Sequence, residues 1–179
     1  MTHINERRVS KFRVCRTDCG YLVQVEGRGT VKLSPLLSQF VIQSIEMAPK
    51  WKPTSVAVDL SSCDYLDSTF LGCLLSLNRR FNRAGDSRFL VVATAETRRL
   101  LLEPSNMDRV IAISETCPAS VSDPVELTSP ALLNADLGQH VLECHRLLAE
   151  HDGPNKAAYR SIASQLDAEF ANASTVLLS

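Results

Sequence analysis

Apolar and polar residues alternate near the start of the chain. Val9, Phe12 and Val14 fall against Lys11, Arg13 and Arg16, with one slip that reads as a bulge, so residues 9–16 are expected to form an edge strand. After a turn at Asp18-Cys19-Gly20, residues 21–26 alternate more cleanly, which predicts a hairpin. Gly27 and Gly29 then free the backbone. Ser34 before Pro35 reads as a helix cap with proline at the first helical position, and Leu37, Phe40, Val41 and Ile45 supply the buried stripe of a helix ending near Pro49.

The pattern is strongest in residues 55–72, which read as a buried strand, a tight polar turn and the opening of a helix. Val56, Val58 and Leu60 share one face of the strand, Ala57 fits under a packed layer, and Pro53 and Thr54 close off its start. From Phe70 the period becomes helical: Phe70, Leu71, Leu74, Leu75, Leu77 and Phe81 form one face, with Asn78, Arg79, Arg80, Asn82 and Arg83 largely opposite. Asp67, Ser68 and Thr69 sit at the seam, where side-chain oxygens accept hydrogen bonds from unpaired amides. Gly85 suits a C-terminal turn, and residues 89–93 form an apolar run expected of a strand covered on both faces. Thr94 caps a short helix reaching Leu102, Pro104 stops it, and residues 110–113 are the last strand. The order β-β-α-β-α-β-α-β predicts an α/β fold with a mixed β-sheet and helical crossovers.

Residues 115–128, with Pro118, Ser120, Ser122, Asp123 and Pro124, read as a linker. Ser129-Pro130 repeats the cap signal, and Leu133, Leu137, Val141, Cys144 and Leu148 step at helical spacing. Asp152-Gly153-Pro154 ends that helix, while Tyr159, Ile162, Leu166 and Phe170 mark a second. The predicted organisation is an α/β domain over 1–114, the linker, an antiparallel helical hairpin over 129–172 and a loosely held tail over 173–179. The hairpin must bury its stripes on the sheet domain, a second copy or another protein.

Composition narrows the class. The chain has 179 residues, is 45% hydrophobic and 22% charged, and carries a net charge of −1, as a globular protein without a field favouring nucleic acid does. No apolar run approaches the ~20 residues that span a bilayer, so no membrane insertion is expected. Arg7 and Arg8 lead into no apolar core, so no signal peptide is expected and the predicted location is cytoplasmic. The six cysteines include no CxxC pair, and Cys15 and Cys19 have no matching second pair, so reduced thiols are expected rather than zinc or disulfides.

Enzymatic signals are weak. Ser68 lacks a G-x-S-x-G elbow, and His3, His140, His145 and His151 all fall outside the α/β body, so no base is assigned to it. Asp59, Asp64 and Asp67 could gather a cation, but turn-forming aspartates are the commoner explanation. His140, Cys144 and His151 share a helix face without a further ligand, and Gly27-Arg28-Gly29 alone is no phosphate-binding fingerprint. Arg79, Arg80, Arg83 and Arg88 read as a solvated face. No metal, cofactor or catalytic activity is expected.

Several of these elements together resemble the STAS domain of anti-sigma factor antagonists and sulfate transporters. Asp59-Leu60-Ser61, Asp67-Ser68-Thr69, Leu71-Gly72, Gly85 and Arg98 through Leu102 fall in that family's order and spacing, within a match over about residues 9–114; the helical hairpin lies outside it. The resemblance implies a STAS-like mixed sheet and a partner-switching regulator. Ser68 would be the phosphoacceptor of a GHKL-type serine kinase that also acts as the anti-sigma factor, with a serine phosphatase resetting it. Asp59, Asp67, Thr69, Phe70, Leu71 and Gly72 would form the partner-docking surface. Phe70 departs from the family's usual glycine and adds bulk beside the acceptor. The alternative is a non-switching STAS scaffold, homo-oligomer or transporter accessory that docks through its hairpin.

Overall fold

A computed structural model describes residues 10–47, 54–83, 88–128 and 134–176, with the side chains of 134–135 and 172–176 not described. Val9, Pro49, Pro53, Gly85, Ser129, Pro130, Leu133 and residues 177–179 lie outside the described residues.

Strand β1 (Lys11–Thr17) pairs antiparallel with β2 (Gly20–Gly29) in unbroken register, from Lys11 opposite Glu26 to Thr17 opposite Gly20. The expected bulge is absent from this pair. Phe12 and Val14 enter the main core, whereas Cys15 joins Leu22, Ala57 and Val92 in a smaller cluster. Adjacent apolar residues in a strand therefore serve opposite faces, which the alternation alone had read as a slip. Helix α1 (Ser34–Glu46) begins at Ser34 itself, with Leu33 in the capping position and Pro35 in the first turn. Ser34 is wholly buried and its hydroxyl is engaged elsewhere.

Strand β3 (Ser55–Asp59) pairs parallel with β2 over Gly20 to Gln24. The stretch expected to be a turn carries a further strand, β4 (Cys63–Leu66), which runs parallel to the remainder of β2. A register shift between Gly27 and Arg28 makes room for it; Gly27 adopts φ +73° and donates its N–H to Ser62 O at 3.0 Å. Helix α2 (Ser68–Arg83) buries the predicted apolar face, and Asn78, expected on the wet side, is buried with its amide donating to Val110 O at 2.9 Å.

Strand β5 (Arg88–Val92) lies beside β3. The short helix α3 (Ala95–Thr97) is capped as read, with Thr97 N–H donating to Thr94 Oγ1 at 3.1 Å, and widens into a π-turn over Arg98–Leu102. The last predicted strand shifts to β6 (Ile113–Ser114), because Ile111 is buried in a turn closed by its N–H on Met107 O. The segment read as a linker crosses to the far edge, where β7 (Val125–Glu126) pairs with β1. The seven-stranded sheet has the order β6-β5-β3-β2-β1-β7, with β4 on β2.

Helices α4 (Asn134–Glu150) and α5 (Lys156–Val176) form the expected hairpin, with Phe170 against Gly138 and Arg146 paired to Asp167. The helix runs on to Val176, past the expected start of the tail at 173. Leu142, Cys144, His145 and Leu148 are buried as α4 packs on α2. In α5 it is Ala163 that is buried, while Ile162, expected on the buried stripe, lies 37% exposed. Helix α4 thus buries Leu142, Cys144 and Leu148 within the same chain.

Candidate functional site

The helix mouth predicted to carry the chemistry is built around Asp67. Its Oδ1 accepts from Phe70 N–H at 2.8 Å, capping α2, and its Oδ2 accepts from Val31 N–H at 2.7 Å. Asp67 N–H in turn donates to Gly29 O at 3.0 Å. One carboxylate therefore clamps the end of β2 and the approach to α1 onto the start of α2.

Ser68 is the first residue of that helix and is half-buried. Its Oγ lies 2.9 Å from Nε2 of His145 on α4. His145 is buried, and its Nδ1 is 2.8 Å from Val141 O. A carbonyl can only accept, so Nδ1 carries the proton; in the neutral ring Nε2 accepts from the Ser68 hydroxyl. Tyr159 of α5 meets the imidazole edge-on with ring centres 6.3 Å apart. The sequence reading had left Ser68 without a base because all histidines lie outside the α/β body. The tertiary fold supplies one.

Two more hairpin histidines reach serines of the body, one at a hydroxyl and one at a backbone carbonyl. His140 Nε2 is 2.9 Å from Ser34 Oγ, and His151 Nε2 lies 3.0 Å from Ser105 O, to which it donates. Arg79 pairs with Glu150 at 2.8 Å, and Asn106 donates its amide to Asp152 O at 3.2 Å. Desolvation lowers the pKa of His140, opposed by the charge of Glu143. Burial pushes the Cys144 thiol up to about 12, with Glu143 and Asp67 adding to the rise. Cys73 is raised well above its ordinary value by burial, and its thiol donates to Ser34 O at 3.3 Å.

The residues expected to dock a partner are not gathered on an open surface. Thr69, Phe70, Leu71 and Gly72 are all buried. Phe70 is fully enclosed, and a side chain on Gly29 would meet its ring at 3.2 Å, so its bulk is absorbed by the core. Gly72 lies under α4, where an added Cβ would come within 2.6 Å of both Cβ and O of Cys144. Asp59 serves a different turn, its Oδ1 accepting from Ser61 N–H at 2.9 Å and its Oδ2 lying 3.9 Å from Cys117 Sγ. Among the described residues, no three His, Cys, Asp or Glu side chains are arranged to hold a metal ion, so Asp59, Asp64 and Asp67 do not converge.

The sequence reading also passed over Tyr65, 42% exposed on β4, with the Arg28 guanidinium 4.1 Å from its ring centre. An aromatic two residues before Asp67 was the available signal. The Ser68–His145 pair has the first two members of a nucleophilic triad, but a backbone carbonyl of α4 occupies the position where a carboxylate would orient the ring. Two described cavities lie elsewhere, one lined by Ile42, Ile45, Arg80 and Arg83, the other by Cys15, Leu22, Ser120 and Pro124. The pair positions a hydroxyl, and neither of these two cavities is lined by it.

No family model matches the sequence, and no curated protein does. Solved structures do match. A crystal structure of an anti-sigma factor antagonist from Mycobacterium paratuberculosis is 22% identical, with a TM-score of 0.50, and the match covers 60% of this chain and 87% of that one. The structure of the anti-sigma factor antagonist SpoIIAA in its unphosphorylated form is 11% identical, with a TM-score of 0.47, 57% of this chain and 87% of that one being covered. The first likeness shows the fold: a STAS-like α/β body, here followed by two further helices.

Proposed function

We propose that the chain is a regulatory binding module of the anti-sigma factor antagonist type, switched by phosphorylation of Ser68. The observation that carries the reading is the position of Ser68 on the first turn of α2, capped by Asp67, within a fold shared with an anti-sigma factor antagonist. In the transfer step Ser68 Oγ attacks the γ-phosphorus of ATP, the bond to ADP breaks, and the hydroxyl proton passes to a base of the kinase. A phosphate adds about −1.5 to −2 charge, which the positive end of a helix tolerates while a binding partner is repelled. The fold survives the modification; the association does not.

The kinase of this reading is a GHKL-type serine kinase that doubles as the anti-sigma factor, with a serine phosphatase as the resetting enzyme and the cytoplasm as the location. Among the described residues no helix is long and apolar enough to cross a membrane. Phe70 fits the reading, since its side chain is enclosed in the core and adds no bulk of its own outside it. The scaffold alternative would dock through the hairpin, where Leu142, Cys144 and Leu148 of α4 are buried within the chain and Ile162 of α5 is exposed.

The test is incubation with an anti-sigma serine kinase and ATP, followed by intact-mass and peptide mass spectrometry. A single phosphate on Ser68, absent from Ser68→Ala, with kinase binding weakened in Ser68→Asp, is the expected result. Equal binding by Ser68→Asp and Ser68→Ala would end the switching reading.

A further inference from the structure

We infer that α4 is a built-in occupant of the α2 face around Ser68, and that the hairpin must lift before a partner or a kinase can use that face. The inference rests on the regulatory reading of Ser68 and adds to it the element that controls access.

Three features of the packing carry it. The Ser68 hydroxyl is held 2.9 Å from His145 Nε2, so a tetrahedral phosphoryl group on that oxygen would have to take the place of the imidazole. Gly72, four residues on, has no side chain, and the backbone and Cβ of Cys144 rest where one would be. Thr69 and Leu71, two more of the expected docking residues, are buried as well. What would be the outward face of a docking helix is an internal interface here.

The interface combines an apolar seat, Cys144 and Leu148, with polar ties that can be exchanged: hydrogen bonds from His140 to Ser34, His145 to Ser68 and His151 to Ser105, and an exposed ion pair from Glu150 to Arg79. Every one of these polar groups can exchange its partner for water when α4 withdraws, whereas the sheet-facing side of α2, with Phe70, Leu74 and Phe81, stays packed. The helix that remains is bonded through Asp67 and does not depend on α4 for its cap.

The test uses two full-length variants. Gly72→Ala places a methyl group against Cys144, yet alanine favours α2 itself, so the body is retained. Leu148→Asp puts a charge into the fully buried seat of α4. Iodoacetamide labelling of Cys144, read by mass spectrometry, reports lifting; Cys15, buried in the sheet's smaller cluster, reports unfolding of the body. Ser68 phosphorylation by the same anti-sigma serine kinase is timed in parallel. Overpacking of this order shifts an equilibrium roughly tenfold or more, so Cys144 labelling and Ser68 phosphorylation should rise together by about that factor while Cys15 stays protected.

Phosphorylation of the wild type as fast as the variants, with Cys144 protected, overturns the inference and leaves the regulatory reading standing. Cys144 protected in both variants also overturns it, because the hairpin is then no separable element. Cys144 exposed without phosphorylation or kinase binding in any form overturns the regulatory reading, and the guarded docking face with it.

Discussion

Replacing Asp67 by alanine separates a structural clamp from a contact residue. The substitution removes two acceptors at once: Oδ1 from Phe70 N–H and Oδ2 from Val31 N–H. Loss of the N-cap costs about 1 kcal/mol. Loss of the second hydrogen bond, made by a charged acceptor to a backbone amide, costs about 1.5–3 kcal/mol. The sum is about 3 kcal/mol, and at this chain length it lowers Tm by roughly 6–12 °C. Asp67→Ser keeps an oxygen near Phe70 N–H but is too short to reach Val31, so it should recover about 1 kcal/mol of the loss. Urea unfolding followed by circular dichroism at 222 nm measures all three proteins. If Asp67→Ala falls within about 0.5 kcal/mol of the wild type, the two hydrogen bonds are not what closes the mouth of α2.

Two further outcomes are expected. His140 is half-buried with its pKa lowered by desolvation, so the unfolded chain binds more protons below about 6.5, and stability is lost as pH falls from there through the folded value. The stability difference between wild type and His140→Gln should therefore move against the wild type between pH 7.5 and pH 5 in urea titrations; a constant difference refutes the assignment. Phe70→Ala should cost about 3–5 kcal/mol as an enclosed aromatic is lost. Tyr65→Ala, exposed and held by a cation–π contact with Arg28, should cost about 1 kcal/mol or less, and the reverse order in thermal melts would place Phe70 outside the core.

Local chemistry made the body legible. The change from strand to helical period at Phe70 and the oxygen-bearing residues before it located α2 and its cap to within a residue, because both signals depend only on neighbours in sequence. Strand β4 was hidden because Cys63, Asp64, Tyr65 and Leu66 are too short a run to show alternation, and their pairing exists only where β2 shifts register at Gly27. Strand β7 was hidden likewise: two residues in a proline-rich stretch become a strand when β1 offers its free edge. The site divides the same way. Asp67 and Ser68 were readable, but His145 lies 77 positions from Ser68, and no spacing rule connects them. A histidine beside an apolar stripe was the available sign that the stripe had a polar counterpart to meet.

The three serines engaged by histidines of α4 and of the residue just past it belong to different turns of the fold: Ser34 opens α1, Ser68 opens α2, and Ser105, met at its carbonyl, follows α3. None is a neighbour of another in sequence, and the helix that ties them together is synthesised after all of them. On the ribosome, where chains grow at about 5–20 residues per second and early segments can fold first, the sheet and its crossovers emerge before their cover does. If Ser68 is switched as proposed, the interval before the hairpin is made is the one in which a kinase would meet that hydroxyl without His145 beside it.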